Sequence, residues 1–266
     1  MMPFRFRLAE LTGAEARARL AARPTLLLPL GSLEDHGPHA PMGDHLLVEA
    51  IALRIAERAA ARDADTLVVP VLPFGGADFF GPTPGGIALS PATLRAVLAD
   101  MIARLSAHGL DRLLVVNGHG GNRAVIEEVV RDVRESRGVI VPTVHVWAVL
   151  AAAWPRLAGE GATARLGHGA DPVWSVALAL RPDLCRPEAI PAPAAPATVA
   201  GLPVSGFGTA WFGDLEVALP VAIDEIAPSG VAAGAPRLGD AATGERAVTW
   251  LAEEVAQLIV HLRSKH

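Results

Sequence analysis

Apolar and polar positions follow two periods along this chain. Continuous apolar runs at residues 25–30, 66–72 and 113–116 read as buried strands. Longer stretches between them place apolar residues at helical spacing, as over residues 46–62. A second helix is expected from Ser90, a suitable N-cap, with Pro91 in the first helical position. It runs through about His108 and stops at Gly109. Residues 124–137 predict a helix and 138–147 a fourth strand, while a final helix that includes 244–262 lies within 236–263. A Gly/Pro loop spans 75–86, a turn closes the third strand over 117–122, and the Pro/Ala-rich stretch 187–203 reads as a surface excursion. Strand–helix repetition of this kind predicts an α/β fold with a mainly parallel sheet covered on both faces.

Composition narrows the picture. The 266 residues are 51% hydrophobic, enough for a full core in one large domain, expected over 1–266. Net charge is −5 with both signs mixed and no basic stripe, which argues against nucleic acid as a partner. Cys185 is the only cysteine, so a disulfide within the chain and a thiolate metal site are both excluded. The start MMPFRFRLAEL lacks a long apolar signal region, and later apolar runs are broken before membrane-spanning length. A cytoplasmic protein without membrane partners is expected.

Chemistry concentrates in two loops. In a parallel sheet, ligand sites form beyond the carboxyl ends of the strands. The loop GSLEDHGPHAPMGDH follows the first strand and crowds Glu34, Asp35, His36, His39, Asp44 and His45 together. The turn VNGHGGN follows the third and presents His119 between glycines. Glu34 and His36, two apart, point to one side of an extended segment. Imidazoles and carboxylates without cysteine suit zinc, manganese or iron. Taken alone, the first loop reads either as half of a metal site or as a solvated surface segment. The glycine-rich turn matches neither a dinucleotide fingerprint nor a P-loop.

Together these pieces resemble the creatininase family. GSLEDHGPHAPMGD is similar to its opening motif G-S-x-E-Q-H-G-P-H-L-P-x-x-x-D, and VNGHGGN to its second motif. FGGADFFGPTPGG, GHGADPVWS (for H-A-G-E-x-E-T-S) and the closing SGV…GAP follow in the expected order, from about Leu28 to Thr249. The resemblance implies a three-layer α/β/α sandwich, often a homo-oligomer such as a hexamer. It also implies two divalent ions, Zn or Mn with Fe as an alternative, and hydrolysis of a carbon–nitrogen bond in a small amide or cyclic amide. Carried over by position, Glu34, His36, His119 and Asp171 match metal ligands, and His168 matches a histidine beside the substrate.

The chain departs from the pattern in places. Asp44 stands one residue before the usual bridging aspartate, which falls at His45; a carboxylate bridges two ions more readily than an imidazole, so Asp44 is the expected ligand. Asp171 replaces a glutamate, and Val173 and Trp174 replace Glu-Thr. Phe79 and Phe80 replace polar residues and are expected either against a less polar substrate or at a subunit interface. Gly120 and Trp174 are further candidates for the substrate side. The expected chemistry is attack by a metal-bridged hydroxide, with His168 passing a proton to the leaving nitrogen or, alternatively, orienting a ligand. Competing readings are a peptidase that trims a modified peptide, as in mycofactocin maturation, and a metal-binding scaffold without catalysis.

Overall fold

The computed structural model describes residues 5–76, 84–193 and 195–265. Its central sheet is parallel, in the order β2-β1-β3-β4, built from β1 (Thr25–Leu30), β2 (Thr66–Val68), β3 (Leu113–Asn117) and β4 (Thr143–His145). β1 and β3 are buried along their whole length, which is why they read as continuous apolar runs. Alternation still sorts their side chains. Leu27, Leu114 and Val116 face one layer, made by α2 (Asp44–Ala60), α5 (Val146–Ala158), α6 (Val173–Leu180) and α8 (Ala241–Arg263). Leu26, Leu28, Leu30, Leu113 and Val115 face the other, made by α3 (Pro91–Ala107) and α4 (Arg123–Arg137). The result is the expected α/β/α sandwich.

Several boundaries follow the expected signals. Ser90 accepts from the Thr93 amide with Pro91 in the first turn, and Gly138 ends α4 at φ 71°. β2 is shorter than its apolar run because Pro70 has no N–H. The ladder resumes at Leu72, whose amide donates to the Pro29 carbonyl at 3.0 Å. β4 is likewise shorter than expected. Its apolar run passes straight into α5 at Val146 with no side-chain cap, so the pattern had no visible stop. Four helices, α1 (Gly13–Ala21), α5, α6 and α7 (Ile223–Ile226), lie outside the predicted set. A second sheet, antiparallel, joins β5 (Thr198–Val199), β6 (Leu202–Gly206), β7 (Thr209–Phe212) and β8 (Leu215–Ala218); the surface excursion expected over 187–203 reaches only β5 and the start of β6, and no strand was expected beyond it. No helix among the described residues is long and apolar enough to cross a membrane.

The strand order sets where the loops part. After β1 the chain turns to β2 through α2 on one face, and after β3 it turns to β4 through α4 on the opposite face. The two departing loops therefore separate at the β1/β3 boundary and leave a crevice, the topological switch point of a doubly wound sheet.

Candidate metal centre

Both chemistry-bearing loops open into that crevice. The loop after β1 is held extended by Leu33, which bridges to Gly43, and by the Glu34 amide, which donates to the Met42 carbonyl at 2.8 Å. Gly31 lets this loop lie against the start of α2, since a Cβ there would sit 2.4 Å from the His45 Cα. Asp44 thereby enters the site from the first turn of α2, where the helix dipole favours a carboxylate. His119 arrives from the loop after β3.

The four side chains converge. Glu34 Oε1 is 3.2 Å from His36 Nε2 and 3.2 Å from His119 Nδ1. Asp44 spans the same pair, Oδ1 at 3.6 Å from His36 Nε2 and Oδ2 at 3.3 Å from His119 Nδ1. All four are buried. Each imidazole is tied from behind to a backbone carbonyl, His36 Nδ1 to Pro41 at 3.1 Å and His119 Nε2 to Gly76 at 3.1 Å. In the neutral rings those bonds place the proton outside and the lone pair toward the carboxylates, the usual support for metal-binding histidines.

Two asparagines that the sequence reading did not single out hold the loops in register. Asn117 Nδ2 donates to the His119 carbonyl at 2.7 Å, and its Oδ1 accepts from the His119 amide and from Asn122 Nδ2. Asn122 also donates to the Gly31 carbonyl and accepts from the Gly76 amide, joining three loops at once. The signal was present in Asn-Gly-His-Gly-Gly-Asn, where two asparagines flank the candidate ligand. Asn117 Nδ2 further donates to His145 Nδ1 at 3.0 Å. His145 therefore carries its proton on Nε2.

Electrostatics show what the cluster needs. Burial opposes charge on His36 and His119, but Asp44 and Glu34 outweigh it and push their pKa values up to about 9 and about 10. Burial and the neighbouring Glu34 raise Asp44 to about 7. Glu34 is held well below the usual carboxylate range by His119 and His36, against the effect of burial. Protons on the imidazoles thus balance two buried carboxylates. Glu34 Oε2 and both Asp44 oxygens still have no well-aligned hydrogen bond among the described residues. Buried oxygens left in that condition are costly, and a cation satisfies them. Two donor sets lie within 4.8 Å, Glu34 with Asp44 and His119, and Glu34 with His36 and His168. The residues present fit a divalent ion of nitrogen/oxygen preference.

Other expected residues fall differently. His45 turns to the Ser32 carbonyl, so Asp44 and not His45 joins the cluster. Asp171 is buried nearby, but Oδ2 accepts from Arg165 Nε at 2.7 Å and Oδ1 from the Ser175 hydroxyl at 2.5 Å. The expectation that Asp171 binds metal is thus met by a carboxylate already engaged by Arg165 and Ser175. Trp174, expected beside substrate, is instead fully buried against His39, ring centroids 4.5 Å apart. The phase of α6 turns Val173, not Trp174, to the cavity. His39 Nε2 donates to the Gly169 carbonyl at 2.8 Å, and the residue serves packing. Phe79 and Phe80 lie outside the described residues.

A cavity of about 540 Å³ opens over the cluster. Its lining includes Glu34, His36, His119 and His168 from the cluster, Gly120, Arg123 and His145, and the apolar Trp147, Leu166, Val173 and Phe207. His168 reaches it from a bridge with Ala232, its Nε2 2.5 Å from the Asp35 carbonyl. Burial, followed by the adjacent His36, pushes its pKa down to about 4.

Comparison with known proteins adds identity to this geometry. The family model described as Creatininase: Creatinine amidohydrolase matches residues 9–259. The chain is 41% identical over 129 residues to a creatinine amidohydrolase of Pseudomonas putida, covering 45% of this chain and 46% of that protein. It is 31% identical over 151 residues to a mycofactocin precursor peptide peptidase of Mycobacterium ulcerans (strain Agy99), covering 54% and 55%. These matches span about half the length of the curated relatives. Over the whole fold it resembles a manganese form of creatininase, at TM-score 0.74 and 28% identity over 96% of this chain and 98% of that one. It resembles a mutant creatininase of Zn-Zn type equally, at TM-score 0.74 and 28% identity over 97% and 98%.

Proposed function

Because the chain belongs to the creatininase family, we propose that it is a metal-dependent hydrolase that cleaves the carbon–nitrogen bond of an amide. The observation that carries this reading is the pair of buried carboxylates, Glu34 and Asp44, facing the inward nitrogens of His36 and His119, with Glu34 and both imidazoles lining the cavity. Glu34, Asp44, His36 and His119 would hold a divalent ion, which when bound would supply Lewis acidity toward water and an amide carbonyl. Zinc and manganese suit the donors, and both appear in the related creatininase structures. Asp44, with one oxygen toward each imidazole, would help hold the metal there.

The chain's own residues do the remaining work. Asn117 holds His145 as the Nε2–H tautomer, which gives the cavity a neutral donor for a polar group of the substrate. Trp147, Leu166, Val173 and Phe207 exclude water from one side and accept an apolar substituent. A small or cyclic amide is the first substrate class. A short modified peptide is the second, favoured by a cavity of drug-sized volume and by the peptidase relative.

The test is to strip the protein with EDTA, reload it with Zn²⁺ or Mn²⁺, and assay creatinine, N-formyl amines and short peptides. Turnover that returns only with the ion supports the reading, and the substrate that turns over selects between the two classes. Undiminished turnover in protein shown by elemental analysis to be metal-free rejects it.

A further inference from the structure

The geometry points to His168, and not Asp171, as the third protein donor of a second ion site with Glu34 and His36. This inference rests on the metal-dependent reading above and assigns its ligands. Three observations carry it.

The donor atoms of Glu34, His36 and His168 lie within 4.8 Å of one another, and this set shares Glu34 with the set of Asp44 and His119. Two overlapping sets joined by one carboxylate, with Asp44 reaching both imidazoles, describe a pair of adjacent sites. Three protein donors at each site leave coordination positions for water and substrate.

His168 is also supported as a ligand is. Its Nε2 donates to the Asp35 carbonyl, as His36 donates to Pro41 and His119 to Gly76, so its lone pair is on Nδ1. The ring is held between His36, stacked at 5.0 Å, and Phe207, edge-on at 5.5 Å. Gly169, the next residue, has φ +66° and would place a Cβ 2.7 Å from the His36 carbonyl, so the backbone here packs directly on the His36 segment.

Asp171, finally, is committed elsewhere. Its oxygens accept from Arg165 Nε, the Ser175 hydroxyl and the Ser175 amide, and Arg165 reaches on to Asp240. Freeing that carboxylate for an ion would leave a nearly buried guanidinium with Asp240 as its remaining carboxylate partner. His168 thereby takes the place in the metal shell that the family pattern suggested for Asp171, in exchange for the proton-carrying role suggested for His168.

The experiment counts ions and imidazoles. Full-length protein is loaded with Zn²⁺, desalted and measured by elemental analysis, beside His168→Ala, His168→Gln and Asp171→Asn, each checked by circular dichroism. We expect two ions per chain in the wild type and in Asp171→Asn, and one in each His168 variant. X-ray absorption of the loaded wild type, which needs no variant to fold, should show three imidazoles shared by two ions. Two ions retained without His168, one ion lost without Asp171, a single ion in the wild type, or only two imidazoles over two ions would each overturn the assignment. A wild type that holds no ion at all rejects the metal-dependent reading itself.

Discussion

Asp44 and Asp171 are both buried aspartates close to one cavity, and they live in opposite surroundings. Asp171 meets an arginine, a hydroxyl and an amide, so its charge and lone pairs are met within the protein. Asp44 meets another carboxylate and two imidazoles, and neither of its oxygens has a well-aligned hydrogen bond among the described residues. The first arrangement is a structural ion pair. The second is stable only when something positive, protons or a metal ion, sits among its members. A buried carboxylate is informative about function through the partners it lacks.

The sharpest way to break this contrast is to exchange the two residues' fates. Asp44→Asn or His119→Ala should lose bound metal and amide turnover together. The loss should exceed the roughly 10–100-fold typical of residues that only support a ligand. Elemental analysis beside a turnover assay checks this, and a metal-replete, fully active His119→Ala would remove the cluster from the chemistry. Asp171→Ala should do the reverse. It should keep the ion set by Asp44 and His119 but lose stability, at most about 3–5 kcal/mol, because the nearly buried Arg165 is left with only the part-exposed Asp240 as a partner. Urea titration of the loaded protein measures that loss.

A pH series sharpens the comparison further. His36 and His119 have folded-state pKa values raised to about 9 and about 10, so without metal they stabilise the fold fully below the unfolded imidazole value of about 6.5. That contribution disappears as pH rises through the folded values. Asp44, raised to about 7, acts in the same direction at lower pH. The melting temperature of EDTA-treated protein should therefore fall between about pH 6.5 and pH 10. Metal-loaded protein should fall less, because the ion replaces the protons. Equal slopes with and without metal would sink this account. The smallest effect belongs to Ser175→Ala, which removes one donor from Asp171. It should cost about 1 kcal/mol in the same urea titration and leave the metal content unchanged.

Much of the site was legible in the chain's own pattern, and its gaps have physical causes. Glu34, His36 and His119 stand in loops directly after apolar runs, and a parallel sheet collects such loops at one edge. Asp44 was favoured over His45 because a carboxylate can share ions better than an imidazole, and it is Asp44 whose oxygens face both imidazoles. Trp174 misled because motif position says nothing about helical phase, and one step of about 100° along α6 turns a residue from cavity to core. The pairing of Asp171 with Arg165 was not legible because Arg165 belongs to no motif and is recognised only by a 2.7 Å contact. The second sheet escaped notice because β5 to β8 are two to five residues long, too short for alternation to register.

By itself the sequence determined the α/β class, the parallel strands, the helices α2, α3, α4 and α8, and the residue types able to hold a cation. These depend on local periodicity, on caps and prolines, and on side-chain chemistry, all of which act over a few residues. Tertiary structure alone decided which donors share a site, which ring nitrogens carry protons, and which buried aspartate is already neutralised. Those outcomes depend on distances of a few ångströms between residues far apart in the chain, such as Asp35 and His168, and no local pattern records them.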